Sequence, residues 1–284
     1  MRKVGIVLVN YNGLQDTIDC ISSIKMSEYS NYEIIVIDNN SEEDVILISQ
    51  YDDVVYKKLQ KNVGFGVANN IGADIAVRDN CDLILCLNND TVIEKDTISI
   101  LEKNTNDKTI STGAIYYYSK PHKLWYGGGE VSKYKGHFRH KQYASTRNVS
   151  FITGCCVMLT VDCYKKIGLF SPEYFMYYED SDFSIKAMKN GYKLKYVFEA
   201  KIYHKIGRSI SKSAGLKEYY LTRNRLYILN KYHDYFLWTA YLYFYFTRGI
   251  YIINSKLQRT STAPYFEGIK DYLQGKMGEK KTKC

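Results

Sequence analysis

The stretch "YEIIVIDNNS" (residues 32–41) decides the fold, because its apolar run ends abruptly in a cluster of turn residues. The runs "VGIVLV" (4–9) and "DLILCLN" (82–88) have the same form. Such near-continuous apolar runs are typical of central parallel strands that are covered on both faces. The segments between them have helical patterns at roughly 13–26, 42–50 and 65–79. This alternation predicts an α/β fold with an open, mostly parallel sheet, flanking helices and right-handed crossovers.

The composition is that of one folded chain with an uneven charge distribution. Its 284 residues suffice for one large core with a smaller C-terminal addition. Residues 1–150 carry 17 basic and 19 acidic side chains, whereas residues 151–284 carry 22 and 11. We therefore expect the C-terminal half to meet an anionic partner such as phosphate or a membrane surface. No nucleic-acid-binding motif with its spacing is present, so nucleic acid is not an expected partner.

The cysteines and the N-terminus indicate a cytoplasmic protein. The seven cysteines form no CxxC pair, which argues against a zinc site. Their odd number and their places in apolar runs such as "LILCL" fit buried free thiols in a reducing compartment. The opening "MRKVGIVLVNYNG" has neither the long apolar segment nor the cleavage site of a signal peptide.

Polar residues follow three of the predicted strands directly, in "VNYNG", "DNNS" and "NNDT". Turn formation alone would explain any one of these groups, since Asn, Asp and Gly dominate turns. In open α/β sheets, however, ligands bind beyond the carboxyl ends of the strands. Three such groups at one edge of the sheet therefore predict a ligand site there.

The segment "NVGFGVANNIG" (62–72) resembles a dinucleotide-binding loop only in part. The fingerprint of that loop follows the first strand and ends in Gly or Ala, whereas here the third position is Asn69. A Rossmann oxidoreductase is thus disfavoured. The turn at Gly64 still offers a helix N-terminus to a phosphate or a sugar hydroxyl. A glycine-bent loop without a ligand is the alternative.

The segment "LCLNNDTVIE" (85–94) places Asp90 just past a buried strand, after Asn88 and Asn89. Mg²⁺ takes oxygen ligands and usually only one or two carboxylates, with water and substrate phosphates completing its shell. One carboxylate with amide neighbours therefore suits a metal that is held jointly with a diphosphate.

Together these segments resemble the GT-A glycosyltransferases of family 2, in particular the rhamnosyltransferase-like branch of bacterial polysaccharide synthesis. The resemblance covers roughly residues 3–226. It is carried, in the family's order, by "VNYNG", "VIDNNSEED", "NVGFGVANNIG", "LNNDT", "TGCCVML", "GLFSPEYFMYYEDSDFSIKAMKNGY" and "YHKIGRS". It implies a GT-A, Rossmann-like fold whose nucleotide-binding part is about residues 1–95 and whose acceptor part is about residues 96–226.

The resemblance also implies how a dTDP- or UDP-sugar donor is bound. Val9 and Tyr11 would line the base pocket, Asp38 would accept a hydrogen bond from the pyrimidine N3–H, and Asn70 would lie near the ribose or donor sugar. Asp90 would bind Mg²⁺ or Mn²⁺, although Asn88 stands where a strict DxD motif has its first acid. The implied donor-binding set is Val9, Tyr11, Asp38, Gly64, Asn70, Asn88, Asn89 and Asp90.

The stretch "FMYYEDSDFSIKAMKNGYKL" (175–194) contains three carboxylates, Glu179, Asp180 and Asp182, at a predicted helix start. In the family an "ED" pair stands beside the acceptor, and this implies that Asp180 is the base of an inverting transfer. Glu179 and Asp182 share a helical face and would orient the base or cap the helix. Three carboxylates that merely complement a helix dipole are the alternative.

Further residues are implied around the same site. His204 would approach the metal or the diphosphate, and Lys205 and Arg208 would contact phosphate. Gly154, Cys155 and Trp125 would lie near the acceptor, with Trp125 in a glycine-rich segment (124–142) that we expect to be a flexible lid or acceptor loop. Solvated surface charge and core packing are the alternatives.

Residues 227–284 are expected to form a helical, aromatic-rich extension. The stretch "YFLWTAYLYFYFT" (235–247) has no charge but is shorter than the roughly 20 residues that span a bilayer. Its aromatic residues favour membrane–water interfaces, and the lysines of the tail suit anionic headgroups. This predicts peripheral attachment to the inner membrane face. The alternatives are a helical hairpin packed on the catalytic domain and contact with a homodimer partner.

The resemblance therefore implies an inverting glycosyltransferase that moves rhamnose or a hexose from a dTDP- or UDP-sugar to a saccharide acceptor, carried on a lipid. Two other classes remain as alternatives. A nucleotide-dependent oxidoreductase would bind NAD and would tolerate Asp180→Asn, and a non-catalytic protein would bind sugar or nucleotide without turnover.

Overall fold

The computed structural model of the chain describes residues 1–42, 48, 51–206, 214–258 and 260–280. The strands are β1 Val4–Asn10, β2 Tyr32–Asp38, β3 Val54–Lys58, β4 Leu83–Leu87, β5 Thr91–Ile93, β6 Thr109–Tyr117, β7 Lys120–Tyr126, β8 Gly129–Ser132, β9 His137–His140, β10 Arg147–Val149, β11 Cys156–Thr160 and β12 Lys193–His204. The helices are α1 Leu14–Lys25, α2 Phe65–Arg78, α3 Thr97–Asn104, α4 Val161–Ile167, α5 Glu179–Lys189, α6 Ala214–Lys231, α7 Thr239–Leu257 and α8 Ala263–Leu273.

The central sheet has the strand order β10-β12-β6-β11-β4-β1-β2-β3, with β5 on β12 and β7 on β6. Strands β3, β2, β1 and β4 are parallel neighbours, and β6 is parallel to β12. Strand β11 runs antiparallel between β4 and β6. The mostly parallel α/β sheet that the apolar runs predict is confirmed, and its 3-2-1-4 half is the order that binds nucleotides in doubly wound folds.

The register of the parallel strands brings their polar ends together. Val9 pairs with Ile37, and Asn10 with Asp38, so the last residues of β1 and β2 lie side by side. Helix α2 approaches β1 closely at Gly72, where a Cβ atom would lie 2.2 Å from Val7 Cγ1. The strand interiors are buried on both faces, as the apolar runs indicate.

The predicted helices at 13–26 and 65–79 are confirmed as α1 and α2, whereas the one at 42–50 lies almost entirely outside the described residues. The glycine-rich segment 124–142 differs from the flexible loop that was expected. It contains the end of β7 and the hairpin of β8 and β9. A Cβ atom at Gly129 would lie 2.6 Å from Phe151 Cδ1, so this glycine permits close packing.

Within the described residues, the C-terminal part forms α6, α7 and α8, and α6 and α7 share a buried cluster with α5 and the β8–β9 hairpin. Leu226, Ile228 and Leu229 of α6 are buried with Phe236 and with Phe244 of α7. The predicted domain boundary after residue 226 falls inside α6, so one continuous helix crosses it. Across the described ranges, no helix is both long enough and apolar enough to cross a membrane.

Candidate active site

The carboxyl ends of β1 and β2 are joined by buried hydrogen bonds. The Asn10 side-chain amide donates to Asp38 Oδ1 at 2.9 Å and to Ser41 Oγ at 3.1 Å. Asp38 has no exposed surface, and its Oδ2 accepts from the Ser41 amide at 3.2 Å and lies 4.0 Å from Lys58 Nζ. Since the protein's own donors surround this carboxylate, a pyrimidine N3–H would have to replace one of them. The contact of Asp38 with a base stays a prediction.

Other predicted donor residues lie at the same edge. Val9 is half-buried at the end of β1, and the Tyr11 side chain is 51% exposed just beyond it. The Asn89 amide donates to Thr17 Oγ1 at 2.8 Å and thereby ties the end of β4 to α1. Tyr11 is the member of this group that offers an open aromatic ring to a ligand.

Asp90 and His204 are brought together from distant parts of the chain. Asp90 Oδ1 lies 3.0 Å from His204 Nε2, but the two do not align as a hydrogen bond. The side-chain oxygens Asp90 Oδ1 and Asn88 Oδ1 are both buried without a hydrogen-bond partner among the described residues. Two donors at about 2.1 Å from one octahedral ion, at right angles, stand about 3.0 Å apart. The spacing and the unsatisfied atoms therefore fit a divalent cation.

A cation here would have few protein ligands. Within the described ranges there is no group of three or more His, Cys, Asp or Glu side chains placed to hold a metal. Mg²⁺ and its relatives at diphosphate sites usually keep water and substrate oxygens in their shell. The pair of Asp90 and His204 thus suits an ion that binds together with its substrate.

Lys205 and Arg208 were expected to contact phosphate. Lys205 Nζ lies 3.0 Å from Asp16 Oδ1 and 2.5 Å from Asp19 Oδ2, and only 8% of its side chain is exposed. Its charge therefore joins β12 to α1 in this structure. Arg208 lies outside the described residues.

Gly64 and Asn70 hold the segment that precedes the predicted base. Gly64 has φ +85°, and a Cβ atom there would lie 2.5 Å from the Phe175 carbonyl oxygen, which accepts a hydrogen bond from Phe65 N at 3.1 Å. The Asn70 amide donates to the Phe170 carbonyl at 2.7 Å and accepts from the Phe170 amide at 3.1 Å. Both residues thus position the loop of residues 168–178, and their roles toward a donor stay predictions.

The chain enters α5 through a strained turn. Tyr177 and Tyr178 have φ of 66° and 75°, the left-handed region that bulky side chains rarely adopt. The buried Asn224 of α6 holds this turn, because its amide donates to the carbonyl oxygens of Met176 and Tyr177, both at 2.8 Å. Helix α6 therefore sets the direction in which the carboxylates at the start of α5 point.

Asp180 is oriented toward a cavity of about 260 Å³. Its Oδ2 accepts from the Gly154 amide and its Oδ1 from Ser181 Oγ, both at 3.2 Å. Burial raises the pKa of Asp180 above its ordinary value, while these hydrogen bonds act in the opposite direction. The carboxylate is held in place, keeps part of its surface open to the cavity and is more basic than a solvated aspartate, as a general base requires.

Glu179 and Asp182 are placed differently from their neighbour. Burial, and then the adjacent Asp180 charge, raises the pKa of Glu179 to about 8, so Glu179 is protonated at neutral pH. Asp182 has no exposed surface and pairs with Lys231 Nζ of α6 at 2.7 Å. Two carboxylic acids whose environments differ in this way can take different roles. Glu179 also lines the cavity, but Asp180 is the one whose two carboxylate oxygens both accept hydrogen bonds.

Gly154 and Cys155 join the two halves of the site. The Gly154 amide donates to Asp180, and the Cys155 carbonyl accepts from the Asn88 amide at 2.9 Å. The Cys155 thiol is itself buried, and burial raises its pKa well above the ordinary value. These two residues, just before β11, therefore hold Asp90 and Asp180 at one edge of the sheet.

Trp125 lies between the predicted metal site and the cavity. Its ring is edge-on to His204 at 4.9 Å and to His140 at 4.7 Å between centroids. His140 lines the cavity with Asp180, and burial lowers the pKa of this histidine. Trp125 therefore lies between the Asp90–His204 pair and the cavity that contains Asp180.

Two residues of the site were not anticipated. His140 lies in the segment expected to be flexible, so nothing in its sequence context indicated that it faces Asp180. Asn224 belongs to "TRNRLY", where four consecutive polar residues of α6 are buried, namely Thr222, Arg223, Asn224 and Arg225. Polar residues flanked by buried apolar ones in a helix are a signal that could have identified this clamp.

Comparisons with known proteins give a match at the level of the family. Residues 5–168, more than half of the chain, match the sequence model of Glycosyl transferase family 2. The comparison with curated proteins finds no match.

Solved structures share the fold at low sequence identity. GalNAc-T7, in a crystal structure with UDP, GalNAc and Mn²⁺, is 16% identical with a TM-score of 0.62, over 72% of this chain and 44% of its own. TarS 1–349 of S. aureus is 16% identical with a TM-score of 0.55, over 81% of this chain and 66% of its own. The chain thus spans less than half of the first structure and about two thirds of the second. Both likenesses show the GT-A fold.

Proposed function

Because the chain belongs to glycosyl transferase family 2 and is a glycosyltransferase, we propose that it transfers a sugar with inversion from a nucleoside diphosphate donor to a saccharide acceptor. The proposed donor is dTDP-rhamnose or a UDP-hexose, and the UDP in the GalNAc-T7 structure supports a donor of this class. The proposed acceptor is a saccharide carried on a lipid at the inner face of the cell membrane, in the synthesis of a surface polysaccharide.

One observation carries this proposal. Asn88, two positions before Asp90, and Asp180 are bonded to consecutive residues, because Cys155 accepts from Asn88 and Gly154 donates to Asp180. The donor diphosphate would lie by Asp90, in a nucleotide-binding part of about residues 1–95. The acceptor would lie by Asp180, in a part of about residues 96–226. Residues 227–284 would complete the acceptor side.

The residues suit a single displacement. Asp180 takes the proton of the acceptor hydroxyl as the hydroxyl oxygen attacks the anomeric carbon of the donor sugar. A carbon–oxygen bond to the acceptor forms, and the bond to the diphosphate oxygen breaks with its electron pair, so the nucleoside diphosphate leaves and the configuration inverts. Glu179, which is protonated at neutral pH, adds no second negative charge beside the base.

Asp90 and His204 are the proposed holders of Mg²⁺ or Mn²⁺, with Asn88 Oδ1 as a third donor. A bound divalent cation would neutralise charge that develops on the departing diphosphate. The Mn²⁺ in the GalNAc-T7 structure supports such a cofactor. Lys205 is proposed to contact a phosphate of the bound donor. To do so, it would leave its ion pairs with Asp16 and Asp19.

The first test is calorimetric binding of dTDP, UDP and NAD to the wild-type protein, each with and without Mn²⁺. We expect dTDP or UDP to bind in a metal-dependent way and NAD not to bind. Asp90→Asn should remove most of the increase in nucleotide affinity that Mn²⁺ produces in the wild type. Binding of NAD alone would support an oxidoreductase and overturn the proposal.

The second test is Asp180→Asn, assayed for transfer and for nucleotide binding. We expect nucleotide binding to persist and transfer to fall by about 10²- to 10⁴-fold, the usual contribution of a general base. Asp162→Asn, in the first turn of α4, is the matched control and should leave transfer unchanged. Unchanged transfer in Asp180→Asn would exclude this residue as the base. Nucleotide binding with no turnover by the wild type, across dTDP- and UDP-sugars, would instead indicate a non-catalytic protein.

A further inference from the structure

The exposed apolar side chains of the molecule are concentrated on its C-terminal helices. Sixteen large hydrophobic side chains are exposed among the described residues, and ten of them lie between Leu237 and Leu273. Scattered exposed apolar residues are normal, whereas a contiguous apolar surface marks an interaction site. The concentration of exposed apolar side chains on the C-terminal helices therefore indicates a binding surface.

On α7 these side chains form one continuous stripe. Its members are Leu242, Tyr245, Phe246, Ile250, Ile253 and Leu257, which are 44 to 78% exposed. Trp238, the residue that precedes the helix, extends the stripe and is 72% exposed. At 3.6 residues per turn, these seven positions fall within an arc of about 140°. We call Trp238 and these six residues the α7 face.

The opposite side of α7 packs on the protein. Ala240, Phe244 and Ser255 are buried there, and Arg248 pairs with Glu218 of α6. The rotation of the helix about its axis is therefore set by these inward contacts. As a consequence, the apolar stripe faces away from the protein, although it contains some of the most hydrophobic residues of the segment.

A basic hairpin tip adjoins the α7 face. Lys133, Tyr134 and Lys135 connect β8 to β9, and all three are exposed. The Leu237 amide donates to the Lys133 carbonyl at 3.1 Å, and Thr239 Oγ1 donates to the Tyr134 carbonyl at 2.9 Å. The tip therefore sits at the start of α7, where its two lysines and exposed tyrosine border the stripe.

The charges around the stripe distinguish between two occupants. Helix α7 contains Arg248 and Lys256 but no acidic residue. The acids of α8, Glu267 and Asp271, are bonded to Lys280 and to the Tyr219 hydroxyl. In a symmetric dimer this surface would face its own copy, and like charges would meet at its border. Anionic headgroups instead complement it, and Trp, Tyr and Lys are the residues that favour a membrane interface.

We propose that the α7 face and the basic hairpin tip bind the surface of an anionic phospholipid bilayer. Helix α7 is about 28 Å long at 1.5 Å per residue and lies in the plane of the interface. The stripe enters the boundary between headgroups and acyl chains, as amphipathic interfacial helices do, and Lys133 and Lys135 meet the headgroups.

The same surface leads directly to the cavity of Asp180. Strand β9, which follows the hairpin tip, begins at His137 and ends at His140, and both line that cavity. Tyr243 of α7 is edge-on to His137 at 5.3 Å between ring centroids. Docking through α7 would therefore hold the cavity beside the bilayer surface, where the sugar of a lipid-carried acceptor is found. This last step rests on the proposed glycosyl transfer, whereas membrane binding does not.

The test uses the fluorescence of Trp238, since the chain has two tryptophans and the other, Trp125, is replaced in Trp125→Phe. Vesicles of phosphatidylcholine, with and without phosphatidylglycerol, are mixed with the protein and carry bromine on their acyl chains. We expect Trp238 to be quenched on the anionic vesicles, because it would lie at acyl-chain depth. Failure of quenching where the protein is folded would overturn the proposal, whether or not the protein transfers sugar.

Two variants and a control complete the test. Phe246→Ser with Ile253→Ser should lower the affinity of the protein for vesicles, measured by co-sedimentation, by about tenfold or more. Lys133→Glu with Lys135→Glu should lower this affinity mainly for the anionic vesicles. Met26→Ser, at an exposed apolar residue outside the C-terminal helices, should change nothing. A dimer in light scattering that Phe246→Ser with Ile253→Ser dissociates, together with unaltered vesicle binding, would assign the surface to a second copy instead.

Discussion

Two adjacent carboxylates, Glu179 and Asp180, differ because of what surrounds each of them. Both side chains line the same cavity, but Asp180 has hydrogen-bond donors on both oxygens, whereas Glu179 Oε2 is buried without a partner among the described residues. Burial without a donor favours the neutral form of a carboxyl group. At the scale of single residues, the distinction between the proposed base and its neutral neighbour thus comes from the surrounding atoms rather than from residue type.

The buried Glu179 makes a testable contribution to stability. The folded chain keeps its proton up to about pH 8, whereas the unfolded chain releases it near 4.5, the unperturbed pKa. Between these values the unfolded state binds fewer protons, so the contribution of Glu179 to the free energy of unfolding falls as pH rises. We expect Glu179→Gln to gain in Tm relative to the wild type between pH 5.5 and 8.5, by about 2 °C or more.

Thermal unfolding of both proteins across that pH range measures this effect. Glu28→Gln, which replaces an exposed glutamate before β2, is the control and should follow the wild type at every pH. Parallel curves for Glu179→Gln and the wild type would mean that Glu179 ionises normally in the folded chain.

At the scale of elements, helix α2 is held against β1 by the absence of one side chain. A Cβ atom on Gly72 would lie 2.2 Å from Val7 Cγ1 and 3.1 Å from its Cγ2. Val7 is fully buried in the middle of the parallel sheet, and side chains in a close-packed interior yield little to added volume. The position of α2, and with it the loop held by Gly64 and Asn70, therefore depends on this contact.

We expect Gly72→Ala to lower the free energy of unfolding by about 1–3 kcal/mol through overpacking. Val7→Ala makes room for the added methyl group, so the double variant should lose less than the sum of the single losses. Gly249→Ala is the control, because a Cβ atom added there would meet no described residue within 4 Å beyond its own stretch of helix, and alanine favours helix. Urea unfolding of the variants gives the coupling, and strict additivity would contradict the close contact.

At the scale of the whole molecule, the C-terminal helices are part of the folded core. Asn224 holds the turn before α5, Lys231 pairs with the buried Asp182, and Leu226 packs with Phe244 of α7. The proposed base, Asp180, and its helix α5 are thus stabilised by residues of α6 that lie about fifty positions further along the chain. An extension that merely anchors the catalytic domain would not share its contacts in this way.

Truncation after Asp234 is therefore expected to unfold the region around α5 as well as to remove α7 and α8. It would expose Leu229 and Tyr232, which pack against Phe236 and Phe244. We expect the truncated chain to have a lower Tm and to bind a hydrophobic dye, whereas Phe246→Ser with Ile253→Ser should melt like the wild type, because both side chains are exposed. A truncated chain as stable as the full one would show that the catalytic part folds independently.

The sequence by itself determined the alternation of strands and helices and the edge of the sheet where Asn10, Asp38 and Asp90 lie. The apolar runs of β1, β2 and β4 and the helical patterns of α1 and α2 are local periodicities, so they are visible without knowledge of the fold. The motifs likewise indicated the family, because the residues within each motif are close in the chain.

Only the tertiary structure decided which polar groups are satisfied and which face a ligand. Lys205 was expected at a phosphate but pairs with α1, and Asn70 holds the Phe170 backbone. The partners in these contacts are up to 189 residues apart, so no local pattern encodes them. The orientation of α7 is likewise not encoded locally, although its aromatic residues are visible in the sequence. The packing of Ala240 and Phe244 against the protein decides that the apolar stripe of α7 faces outward.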